Sequence, residues 1–74
     1  MNVYAKMIEE YEAEIEKIKA RIETLRKERS DFKHKEGHWR KHNTISELDT
    51  RIVYLEDNIN MLYDSIHMMR GYAN

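Results

Sequence analysis

Apolar residues return at alternating steps of three and four in two separate stretches of this chain. The first stretch reads Met1, Tyr4, Ile8, Tyr11, Ile15, Ile18, Ile22, Leu25, Arg29 and Phe32, and the second reads Ile45, Leu48, Ile52, Leu55, Ile59, Leu62, Ile66, Met69 and Ala73. Residues spaced this way share one stripe of an α-helix, so each stretch predicts a long helix with a heptad seam. The positions between are mostly Glu, Lys and Arg, with Glu14–Lys17, Glu16–Lys19 and Glu23–Lys27 at ion-pair spacing on the outer face.

The two seams do not belong to one rod. Extending the first beyond Phe32 puts its next core positions at 36, 39, 43 and 46, whereas the second uses 45, 48 and 52. That slip of two residues matches neither of the insertions, three or four residues, that a supercoil absorbs. A rod would also carry Gly37 in its interior, at a cost of about 1 kcal/mol relative to Ala. The pattern therefore predicts an all-α fold, an antiparallel two-helix coiled-coil hairpin forming a single domain over 1–74. The first helix is expected over 2–35, capped by Asn2 and followed by Gly37, the second over 44–70, and a basic turn over 36–43. Thr44-Ile45-Ser46-Glu47 reads as a capping box opening the second helix, and Gly71 as its stop.

A hairpin of 74 residues with no Cys to staple it is below the size at which one core is usually sufficient. The second helix offers a remedy. Tyr54, Met61 and Met68 form another stripe beside the seam, with the smaller Asn58 and Ser65 between, and Tyr63 and Tyr72 flank the seam on its two sides. The first helix has no matching extension except Val3 and Met7 near its start, close to Tyr4. Met adapts to irregular surfaces, and Tyr packs its ring while keeping its hydroxyl wet. Tyr4, Met7, Tyr54, Met61, Tyr63, Met68 and Tyr72 are accordingly the candidate interface. It would serve a homodimer forming a four-helix bundle or, alternatively, a helix of another protein.

Charge separates the middle of the chain from the rest. Residues 26–42 carry seven basic and three acidic groups, while the segments before and after are net acidic. Lys33, Lys35, Arg40 and Lys41 with Trp39 make this tip a candidate nucleic-acid contact, cations on phosphate and indole on a base. The competing reading is a solvated hairpin end whose cations suit the helix dipole. His34, His38 and His42 repeat at four-residue steps and would line up on a helix as zinc or nickel ligands, but the lysines and arginines around them repel a cation and no carboxylate completes the set. No catalytic triad or phosphate loop is present, and the carboxylates belong to solvated faces, so neither an enzyme nor a cofactor is expected. The chain shows no signal peptide and no apolar run near the ~18 residues of a membrane span. A soluble cytoplasmic protein is the expectation.

Two resemblances add to this. RIVYLEDNINMLYDSIHMM (residues 51–69), followed by Tyr72, resembles the C-terminal helix of small helical-hairpin proteins carried by phages and mobile elements of Firmicutes. The resemblance implies a mobile-element origin and no defined activity. Ile45-Ser46-Glu47-Leu48-Asp49 is similar to the Ser-Gln-Glu-Leu-Asp motif of the Spo0E-like sporulation phosphatases. Here Ile45 replaces the leading Ser and Ser46 the Gln, and the first helix is longer than that family's. An aspartate-phosphatase role therefore stands only as a remote alternative to a protein–protein interaction or regulatory module.

Overall fold

The computed structural model describes residues 3–33 and 38–73, with side chains for 3–32 and 44–72. It consists of α1, Val3–Lys33, and α2, His38–Ala73, packed against one another, with no strand among the described residues. The direction of packing follows from contacts across the pair. Glu12 meets Arg70, Lys19 meets Tyr63 and Arg26 meets Glu56, so each seven-residue step up α1 is matched by a seven-residue step down α2. The helices are antiparallel and form a hairpin.

The nine residues buried among those described are all seam residues: Ile8, Ile15, Ile22 and Leu25 on α1, and Leu48, Ile52, Ile59, Ile66 and Met69 on α2. Met7, Tyr11, Ile18, Leu55 and Leu62 pack against them half-buried. Arg29, the one charged seam residue, is also half-buried; its Nε is shielded from solvent and faces Asp49 of α2. A cation in the seam is thus matched by an acid on the opposite helix. Thr24 and Thr50 donate their hydroxyls to the carbonyls of Ala20 and Ser46, four residues earlier, so both stay within the helix.

The element boundaries differ from expectation at three places. The second helix begins at His38, so residues 38–43 are helical rather than part of the turn. Thr44 consequently stands inside α2, and the capping box does not open it. From His38 to Asn43 the chain holds neither Pro nor Gly, so nothing in it stops the helix from extending past a local capping signal. Gly71 likewise does not end α2, which continues to Ala73; a Cβ placed on Gly71 meets nothing within 4 Å. The proposed caps Asn2 and Gly37 lie outside the described residues.

The result is a thin rod-like pair. It measures 56 × 14 × 10 Å with a radius of gyration of 16.9 Å, against about 11 Å for a globular domain of this length. It exposes 6078 Å², whereas a compact monomer of this mass exposes about 4,900 Å².

Candidate functional site

The two long flanks of the hairpin are built differently. Four residues after Ile8, Ile15 and Ile22 come Glu12, Lys19 and Arg26; four residues after Ile52, Ile59 and Ile66 come Glu56, Tyr63 and Arg70. These six flank residues meet across the helix pair. Glu12 and Arg70 are 3.6 Å apart, Arg26 and Glu56 3.5 Å apart, and the Lys19 ammonium stands 5.8 Å from the centroid of the Tyr63 ring. The ladder covers all six isoleucines beneath it, each of which is buried. Tyr63, with Glu16 3.7 Å away assisting, holds the Lys19 ammonium above its ordinary value by favouring the charged form. Ion pairs this exposed contribute little each, about 0–1 kcal/mol. Their consequence is geometric: they close this flank.

The other flank has no such cover. There four seam residues, Tyr11, Ile18, Leu55 and Leu62, stay half-exposed, while Leu25, Leu48 and Met69 of the same row are buried. Next to them on α2 lie Asn58 and Ser65, both half-exposed, and beyond these Tyr54, Met61 and Met68, exposed by 66%, 67% and 59%. At the open end of the hairpin the Tyr4 and Tyr72 rings pack with centroids 5.6 Å apart, and Met7 is half-buried nearby. A shallow groove of about 390 Å³ runs between Arg21 and Leu25 of α1 and Arg51, Tyr54 and Leu55 of α2.

Six of the seven residues expected to form an interface, Tyr4, Met7, Tyr54, Met61, Met68 and Tyr72, therefore belong to this open flank or its end. Tyr63 does not. It stands on the closed flank, engaged by Lys19. Its spacing from the seam was legible, but its partner depends on the register of the hairpin, which a single helix pattern does not reveal. The sequence reading also missed how far Tyr11, Ile18, Leu55 and Leu62 remain open; the signal was the one-sided placement of charges able to bridge the helices.

The basic tip is only partly described. Lys35 and His34 lie outside the described residues, as do the side chains of Lys33, His38, Trp39, Arg40, Lys41 and His42. Two further cations of the segment, Arg26 and Arg29, are engaged by Glu56 and Asp49. Among the described residues no three His, Asp or Glu side chains converge on a metal-sized site, no polar or charged residue is fully buried, and no helix is long and apolar enough to cross a membrane. Comparison with protein-family models, curated proteins and solved structures finds no match for the chain.

Proposed function

We propose that this protein is a non-enzymatic helical interaction module whose working form is a homodimer joined along the open flank. The observation that carries the reading is the inequality of the flanks: one is bridged by side chains at three levels, the other leaves Tyr11, Ile18, Leu55 and Leu62 half-exposed and a Tyr/Met stripe exposed. The surface in excess of a compact monomer is about 1,200 Å², and a standard interface covers about 800 Å² per partner. The surplus is thus of the size that one copy of the chain would cover on another, and pairing two hairpins gives a four-helix bundle.

Sedimentation equilibrium over a dilution series tests this. The expected species has twice the 9.0 kDa chain mass. A helical, cooperatively folded monomer at every concentration overturns it and leaves the open flank to a different protein.

A further inference from the structure

The exposed stripe on α2 is more than a patch. Taken with the small residues beside it, it reads Tyr54, Asn58, Met61, Ser65, Met68, Tyr72, at steps of four, three, four, three and four. That is a second heptad seam. It follows the first seam one residue behind, which rotates it by about 100° around the helix. A helix in a four-helix bundle contacts two neighbours in directions close to a right angle, so α2 has one seam for α1 and one still without an occupant. The equivalent positions on α1, from Glu10 through Glu14, Lys17, Arg21 and Thr24 to Glu28, are polar. They offer no comparable apolar seam to a partner.

The second seam also has an internal symmetry. Reversed and laid against itself, it brings Tyr54 opposite Tyr72, Asn58 opposite Met68 and Met61 opposite Ser65. Each Met faces a smaller residue, and the two ends are Tyr on Tyr. Large residues set against small ones are what lets two helix surfaces interdigitate. A twofold interface demands such self-complementarity, since each contact occurs twice. All six residues keep solvent exposure, so the seam is available.

Resting on the self-association reading above, we infer that the occupant is α2 of a second copy, antiparallel, with the twofold axis crossing the helix at the level of Tyr63. Met61 then packs on the partner's Ser65, Met68 on the partner's Asn58, and Tyr54 on the partner's Tyr72 beside the Tyr4–Tyr72 pair. The two α1 helices then lie side by side on one face of the α2 pair. The half-exposed Leu55 and Leu62 lie next to this contact and are covered with it.

Disulfide mapping tests the register, because the chain has no Cys of its own. Met61→Cys and Ser65→Cys variants are mixed, unfolded, refolded together and oxidised; Tyr54→Cys and Tyr72→Cys form a second mixture, used should the first pair fold poorly. The expected product in each is the heterodisulfide, since bridging needs Cα atoms about 4.4–6.8 Å apart. Tyr54→Cys alone is expected not to cross-link, as antiparallel pairing holds its two copies about 27 Å apart along the axis. A Tyr54→Cys homodimer disulfide overturns the antiparallel arrangement. A dimer by sedimentation in which folded variants yield neither heterodisulfide overturns the α2–α2 seam while leaving self-association standing; a monomer removes both.

Discussion

Truncating Met61 isolates the open flank. The residue keeps 67% of its surface in the single chain. Complete burial of a Met side chain contributes about 1.5–3 kcal/mol, so covering the exposed two-thirds contributes about 1–2 kcal/mol. A twofold interface contains two copies, and Met61→Ala therefore weakens association by about 2–4 kcal/mol. That corresponds to a rise in Kd of about 30- to 1,000-fold, with the β-carbon that Ala retains favouring the lower end. Within one hairpin the same substitution is nearly neutral, since it removes an exposed side chain and Ala is a better helix former than Met. Val53→Ala is the control: Val53 is 58% exposed but turned away from both seams of α2, so its Kd stays at the wild-type value. The assay is sedimentation equilibrium, supported by circular-dichroism melts at two protein concentrations. The wild-type midpoint rises with concentration because a partner binds only the folded chain; Met61→Ala loses most of that rise at the lower concentration. Equal Kd values for wild type, Met61→Ala and Val53→Ala would refute the reasoning, for the stripe would then be no more involved than any exposed residue.

Asp49→Ala destabilises by about 0.5–1 kcal/mol in urea titrations, because it removes the acid that faces the half-buried Arg29. In an Arg29→Leu background the same substitution costs almost nothing, and an undiminished cost there would show that Asp49 acts elsewhere. Gly71→Ala raises stability by about 0.5–1 kcal/mol, because the position is helical and a Cβ there meets open space; a lowered thermal midpoint would contradict a helical Gly71. Lys19 is held above its ordinary pKa of 10.5 in the fold, chiefly by Tyr63. Its contribution to stability is therefore fully present below pH 10.5 and lost as pH rises through the higher folded value. Lys19→Gln removes that part of the alkaline loss, so wild-type and variant urea midpoints converge above pH 10.5; a constant difference through that range would count against the Lys19–Tyr63 contact.

What the sequence disclosed and what it withheld divide along physical lines. The core was legible because a heptad states which face of each helix is dry: Ile15 and Leu25, the most deeply buried side chains, both stand on the seam expected for them. The ends of α2 were not. Thr44 and Gly71 carry the chemistry of a start and a stop, yet each is worth only about 1 kcal/mol or less, and the surrounding residues continue the helix past both. The closed flank was illegible for another reason. Glu12, Lys19 and Arg26 resemble any solvated charges until the hairpin's register sets them against Arg70, Tyr63 and Glu56. The same register separates two groups of exposed tyrosines that composition alone would pool, Tyr63 with the ladder and Tyr54 and Tyr72 with the open flank.

That separation bears on how the protein can assemble. A hairpin whose helices were equally apolar on their outer sides could stack either helix on a neighbour, and nothing would limit growth. Here, among the described residues, α2 alone has a second seam, and its opposite flank is occupied by Tyr63 and Arg70 reaching to α1. One sticky helix per chain, self-complementary under a twofold axis, saturates at two copies. In the proposed dimer, the charges that close one flank of the hairpin thus help to end assembly at two copies along the other.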